Sequence, residues 1–316
     1  MARRALVVGD NYPGTPAQLS GCANDAAHMR DYLRAQGFDD ITVLLDRDCT
    51  RQAIERELDH LVGSLTGRDL GVFYDSGHGT EGSISLTPGA PAIRHEGIVP
   101  YDYRTAGILW DEKVREILGY VHSDARMVMI LDTCFSGGMY RLAPPLTDHY
   151  RRARYLAPEE WLRDVDVESE IDRLFAADDQ RIVMDERQVV LDQIAAVASR
   201  PTEKAYPVLL LAASKPGQVA WCADMPHPLD PTSDGGVPQG AFTYALLEVL
   251  QGRGRVRAKQ RQPRHYLEAM YGAKDLHGVV TVRANRPGLL PSADLADQDP
   301  TLHGTPGRVT WPILQA

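Results

Sequence analysis

The stretch Leu70-Gly71-Val72-Phe73-Tyr74-Asp75-Ser76-Gly77-His78-Gly79-Thr80 and its later counterpart Met127-Val128-Met129-Ile130-Leu131-Asp132-Thr133-Cys134-Phe135-Ser136-Gly137-Gly138 share one plan, an apolar run of strand length that ends in a glycine-bearing turn. A short apolar run without polar alternation suits a strand buried on both faces by crossover helices. Comparable runs at residues 5–8, 41–45, 208–212 and 279–282 predict further strands. Between them, helical periodicity predicts helices at 24–36, 111–121 and 242–250. Another starts after Thr50, a good N-cap, with Ile54, Leu58, Leu61 and Leu65 along one face. The alternation gives an α/β fold, with a mostly parallel central sheet and helices on both faces.

The 316 residues are 43% hydrophobic, 24% charged and 7% aromatic, values that exclude a disordered, collagen-like or coiled-coil chain. A net charge of -9 disfavours a dedicated nucleic-acid coat, so nucleic acid is not an expected partner. The longest apolar runs, such as 207–213, fall far short of the roughly 20 residues that a bilayer span needs, so no membrane partner is expected either. After Met1-Ala2-Arg3-Arg4 the apolar run stops at Gly9-Asp10, too early for a secretory signal. Cys22, Cys49, Cys134 and Cys222 make no metal spacing and are too few for a disulfide scaffold, which points to a reducing cytoplasm.

The pattern breaks between about Leu142 and Tyr206, where Pro144-Pro145 and a basic cluster precede two charged helical stretches. The expected organisation is a single domain, 1–316, with a large half (1–142), a helical insertion or linker (143–206) and a small half (207–316). Residues 224–239, with four prolines and Gly235-Gly236, are expected to form a mobile surface loop.

In α/β sheets, sites lie beyond the carboxyl ends of the strands. His78 and Cys134 both follow strands there, in turns whose glycines admit close backbone approach. A thiol needs a neighbouring imidazole to react as thiolate near neutral pH, so the pair favours a Cys–His hydrolase. Alone, a buried cysteine is more often a small hydrophobe, and a buried histidine a hydrogen-bonded structural residue.

The motifs Ser76-Gly77-His78-Gly79 and Asp132-Thr133-Cys134-Phe135-Ser136-Gly137 resemble those of the caspase-like cysteine peptidases, nearest to their metacaspase and bacterial orthocaspase branch. Leu19-Ser20-Gly21-Cys22-Ala23-Asn24-Asp25-Ala26, Gly240-Ala241-Phe242-Thr243 and Asp299-Pro300-Thr301-Leu302-His303-Gly304 are similar to further stretches of that family. The resemblance implies a thiol endopeptidase in which Cys134 attacks the scissile carbonyl and His78 protonates the leaving amine. The backbone amides of Gly79 and Cys134 would form the oxyanion hole, and Asp132 need not complete a triad. It also implies cleavage after Arg or Lys, with Asp25, Ser76 and Asp132 as the S1 pocket and Cys22 in the same pocket as a non-catalytic thiol. Partners are then protein or peptide substrates with Arg or Lys at the cut. On the residues alone, Asp25 is also readable as a cap for the helix near Asn24.

No cofactor is required by the resemblance, though many metacaspases use calcium, for which Asp102, Asp111 and Glu112 are the counterparts here. The family pattern supplies an acid after the catalytic cysteine where this chain has Tyr140-Arg141, and Asp111-Glu112 also suit a helix start. Phe135 stands where the family usually has His. The joining segment is often cut by such enzymes, and here it carries Arg141, Arg151, Arg152, Arg154, Arg187, Arg200 and Lys204. The basic run Arg253, Arg255, Arg257, Lys259, Arg261 and Arg264 reads as a solvated loop or as a face for an anionic partner. The expectation is a cysteine endopeptidase whose joining segment is either cut by the enzyme itself or left as a solvated linker; the alternative is a catalytically silent caspase-like scaffold.

Overall fold

The computed structural model describes residues 1–84, 93–134, 154–156, 208–214, 220, 222–225, 236–251 and 301–303. In chain order the elements begin with β1 (Arg3–Gly9), α1 (Cys22–Ala35), β2 (Asp40–Leu45), α2 (Arg51–Ser64) and β3 (Leu70–Ser76). They continue with β4 (Gly79–Ile84), β5 (Ile93–Ile98), α3 (Tyr103–Ala106), β6 (Leu109–Trp110), α4 (Asp111–Leu118) and β7 (Arg126–Asp132). After these come β8 (Val208–Ala212), β9 (Cys222–Met225), β10 (Val237–Gly240), α5 (Ala241–Leu250) and β11 (Thr301–His303).

The described strands form a central sheet in the order β11-β8-β7-β3-β1-β2. All its neighbours pair parallel except the edge strand β11, which runs antiparallel to β8. The apolar runs read from sequence are thus inner strands, and β3 is buried at every position from Leu70 to Ser76. One face packs Val7, Val72, Val128 and Leu209 against Met29 and Leu33 of α1 and Phe242 and Leu246 of α5. The other packs Leu6, Phe73 and Met129 against Leu58 and Leu61 of α2 and Ile117 of α4. Alternate strand residues face opposite layers, which is why strands need to be apolar throughout. Thr50 caps α2 as expected, its hydroxyl accepting the Ala53 N–H at 3.2 Å.

Two small antiparallel sheets, β4-β5-β6 and β9-β10, were not predicted. Gly79-Thr80-Glu81-Gly82-Ser83-Ile84 has neither apolar alternation nor β-branched density to announce β4, and β6 is only 2 residues long. The loop expected over 224–239 is corrected at both ends. Val237 pairs with Met225, Pro238 with Asp224, Gln239 with Ala223 and Gly240 with Cys222, so the segment enters and leaves as a ladder despite its prolines. The strand expected at 279–282, the basic run at 253–264 and the insertion at 143–206, apart from 154–156, lie outside the described residues. Among the described residues no helix is long and apolar enough to cross a membrane.

Candidate active site

Parallel register builds the site. Ser76 at the end of β3 pairs with Asp132 at the end of β7, so His78 and Cys134 each emerge two residues beyond adjacent strand termini. Gly79 is needed where it stands: a Cβ there would collide with the Cys134 carbonyl, so the two turns pass backbone to backbone. The imidazole of His78 is fixed from two sides. Its Nε2 lies 2.8 Å from the Ala17 carbonyl oxygen. A carbonyl only accepts, so Nε2 carries the hydrogen and Nδ1 is left as the basic nitrogen. Its ring lies against Tyr12, with centroids 4.9 Å apart, and its backbone N–H donates to the Tyr12 hydroxyl at 2.9 Å. That hydroxyl in turn donates to Val99 O at 2.6 Å. Tyr12 holds a φ of 52°, a left-handed conformation uncommon for a non-glycine residue, with its own N–H bonded to Asp10 Oδ1 at 2.7 Å.

Cys134 is buried. The Ala220 N–H donates to its sulfur at 2.8 Å, and burial pushes the thiol up to about 12 against the pull of that bond and of Arg154. In this state the sulfur is held as a neutral thiol.

The cleft is filled by the chain itself. Arg154, fully buried, places its guanidinium among the S1 residues inferred from sequence. It reaches Asp25 Oδ2 at 2.5 Å, Asp132 Oδ2 at 3.1 Å and Ser76 Oγ at 2.7 Å. The Asp132 carbonyl takes a further bond at 2.8 Å. Burial pushes the Asp25 carboxyl up to about 6, against the pull of Arg154 and of the Gly240 N–H. Asp132 Oδ2 also accepts the Thr243 hydroxyl at 2.6 Å and the Thr243 N–H at 3.1 Å, which locks it to the start of α5. Gly240 forms the wall, because a Cβ there would strike Asp132 and Arg154. The backbone of Arg154 is held as closely as its side chain. Its carbonyl oxygen accepts the Gly79 N–H at 2.9 Å and the Cys134 N–H at 3.2 Å, while its own N–H donates to Ala220 O at 3.1 Å.

Cys134, Gly79, Asp25, Ser76 and Asp132 therefore converge on one residue, with His78 held in the turn immediately before Gly79. Cys22 is fully buried near the guanidinium, and a second thiol, not assigned to this pocket from the sequence, lies closer. The thiol that touches the guanidinium is Cys222, 3.0 Å from Arg154 Nε, and Cys22 stands behind it as a hydrogen-bond partner that lowers the Cys222 thiol. The ladder between β9 and β10 brings Cys222 there, and that pairing was not read from sequence. The carbonyl of Ala17 and both backbone groups of Ala220 were missed because any side chain could supply them. Tyr12 had a signal: it follows β1 by three residues, at the same edge of the sheet as the other turns.

The acids expected to hold calcium are not gathered. Asp102 Oδ1 accepts the Arg51 N–H at 2.8 Å at the start of α2, and Asp111 pairs with Arg115 at 2.9 Å within α4. Among the described residues no group of three or more metal-ligating side chains is positioned for a metal ion. Asp111 and Glu112 start a helix, where acids oppose its positive end.

The chain is similar to several known proteins. Metacaspase-8 of Arabidopsis thaliana is 37% identical over 152 residues, which is 44% of this chain and 38% of that protein. Metacaspase-1 of Mycosarcoma maydis is 36% identical over 145 residues, 43% of this chain and 36% of that protein. The matched region thus spans little more than a third of these relatives' length. The crystal structure of a Geobacter sulfurreducens protein superposes with a TM-score of 0.66 at 18% identity, covering 100% of this chain and 99% of the other, and shares the fold. The profile described as "Caspase domain" matches residues 2–274, and on that extent the chain belongs to the caspase-domain family.

Proposed function

We propose that the protein is a cysteine endopeptidase that cuts after Arg or Lys, and that its first substrate is its own Arg154–Tyr155 bond. The observation that carries this reading is the double fit of Arg154, with its guanidinium between two carboxylates and its carbonyl oxygen on the Gly79 and Cys134 amides. Two amide donors on one carbonyl oxygen are placed where negative charge would develop during acyl transfer. A buried cation between Asp25 and Asp132 leaves little charge unpaired, whereas an acidic residue in that pocket would face two carboxylates.

In the reaction, the Cys134 proton passes to His78 Nδ1 and the sulfur bonds to the Arg154 carbonyl carbon. The C=O electron pair moves onto the oxygen held by the two amides. Its return breaks the C–N bond, and the proton on Nδ1 goes to the departing amine of Tyr155. Water then hydrolyses the thioester, which releases the Arg carboxylate and restores the thiol. Ala17 O serves as the positioning group that keeps the Nε2–H tautomer of His78.

An inert scaffold whose cleft stays plugged by Arg154 is the second reading, favoured by the raised Cys134 thiol. Intact-mass spectrometry of purified protein separates them. The wild-type chain is expected to yield two fragments meeting at Arg154–Tyr155 that co-elute, while Cys134→Ala stays whole. A fluorogenic Arg-ended peptide is expected to be turned over and its Asp-ended counterpart ignored. A chain that neither cuts itself nor releases fluorophore from the Arg-ended peptide is the scaffold.

A further inference from the structure

We propose that the cleft selects the second residue after the cut, as well as the basic residue before it, and that its natural substrates carry a large aliphatic side chain there. This rests on the peptidase reading and extends it to the far side of the scissile bond. Leu156, two residues past Arg154, is 4% exposed and belongs to an apolar cluster with Tyr12, Leu19, Val99, Tyr103 and Ile108, which Trp110 closes from the side. None of these is a neighbour of Leu156 in sequence. They come from the loop after β1, the residue that follows β5, α3 and the segment that leads into β6, and the Leu156 side chain is buried in the cluster they form.

The backbone around Leu156 is held as an added strand. Tyr155 forms a parallel bridge with Gly79. The Leu156 N–H donates to Gly79 O at 3.0 Å, and the Thr80 hydroxyl donates to Leu156 O at 2.7 Å. Main-chain bonds of this kind accept any sequence, and the pocket beside them supplies the selection. The same Gly79 thus gives its N–H to the carbonyl before the cut and its C=O to the second amide after it, which fixes the register of the two pockets. Polar or charged side chains would lose hydration in the Leu156 pocket without gaining a partner.

The test uses peptides rather than pocket variants, so folding does not enter. Two internally quenched peptides, identical except for Leu or Asp at the second position after a single Arg, are compared with an Arg coumarin amide that has no residue there. The Leu peptide is expected to exceed the Asp peptide in kcat/KM by roughly ten- to a hundred-fold, the ratio that goes with burying one Leu-sized side chain. An Ala peptide is expected to fall between them. Equal rates for Leu and Asp peptides, with brisk release from the coumarin amide, overturn the pocket and leave the peptidase reading standing. No release from any of the substrates overturns both. Within the chain, Leu156→Asp is expected to slow the appearance of the two self-cleavage fragments while Leu156→Met preserves it, and equal rates for the two would overturn the pocket.

Discussion

Two pockets, two residues apart along the same bound segment, take opposite chemistry. The one around Arg154 is built from Asp25, Asp132, Ser76 and Cys222. The one around Leu156 is built from tyrosine rings and aliphatic side chains. In the first, selection comes from charge: with no cation inside, two buried carboxylates face each other at high cost. In the second it comes from area and shape, which grade a ligand instead of accepting or refusing it. The polar pocket should therefore act as a gate and the apolar one as a dial.

The largest effect is expected from Cys134→Ala, which removes the proposed nucleophile and almost no volume. It is expected to abolish both self-cleavage and peptide turnover while leaving the fold intact, as judged by an unchanged thermal transition. His78→Ala is expected to be similarly severe. Cys22→Ala and Cys222→Ala are expected to retain turnover, since the Cys222 thiol lies against the Arg154 guanidinium with Cys22 beside it, and the proposed chemistry uses the Cys134 sulfur. If Cys222→Ala were inactive while Cys134→Ala still cut, the roles of the thiols would be reversed.

The gate itself is tested next. Asp25→Ala or Asp132→Ala leaves the other carboxylate and an incoming guanidinium imperfectly paired, a loss of about 3–5 kcal/mol that corresponds to roughly two to four orders of magnitude in kcat/KM for Arg-ended peptides. Cleavage after Asp is expected to stay negligible in both variants. A wild-type preference for Asp-ended peptides would break the comparison at its root.

The gate was readable from the sequence and the dial was not, for a physical reason. Asp25, Ser76 and Asp132 were named through the family resemblance of the motifs that hold them, whereas on the residues alone Asp25 was also readable as a helix cap. Leu19, Val99 and Ile108 are apolar residues among many, and only folding brings them together. The central strands were legible because each is an uninterrupted apolar run, as in Met127-Val128-Met129-Ile130-Leu131. The antiparallel additions at β4 to β6 and at β9 to β10 were hidden by glycine and proline. Arg154 was one of seven basic candidates in the joining segment, and nothing in its neighbours Arg151 and Arg152 marks it as the one that fits.

A smaller effect separates the pocket acids from two others at the same edge of the sheet. Asp10 and Asp75 are each 2% exposed, and burial pushes their carboxyls up, to about 8 and about 7, with the Tyr12 N–H opposing the shift at Asp10 and the charge of Arg154 opposing it at Asp75. The folded state therefore binds protons that the unfolded chain has already released. Stability from these groups is fully present below the ordinary carboxyl value of about 3.9 and is lost as pH rises through the folded values. Each group contributes a slope of at most about 1.4 kcal/mol per pH unit inside that window. Urea denaturation of the Cys134→Ala protein, which cannot cut itself, is expected to show a declining midpoint from pH 5 to pH 8. Asp10→Asn, which keeps an oxygen for the Tyr12 N–H, is expected to flatten the decline. A midpoint that rises with pH over this range, or a slope untouched by Asp10→Asn, would show that burial does not hold these protons.

The smallest effect is expected from the acids that belong to neither pocket. Asp102 is committed to the Arg51 N–H, Asp111 to Arg115, and Arg141 stands where an anionic ligand would complete the family pattern. Hard cations need several oxygens converging from one side, and carboxylates already spent on a helix start and an ion pair do not offer that. Turnover of the Arg-ended peptide is accordingly expected to survive a calcium chelator within a small factor, and Asp111→Ala to behave like wild type with or without added calcium. A strong stimulation by millimolar calcium that disappears in Asp111→Ala would mean that these acids leave their present partners to gather round the ion. The gate and the dial would then be under the control of a third site, and the intact chain would be expected to release Arg154 only when calcium is present.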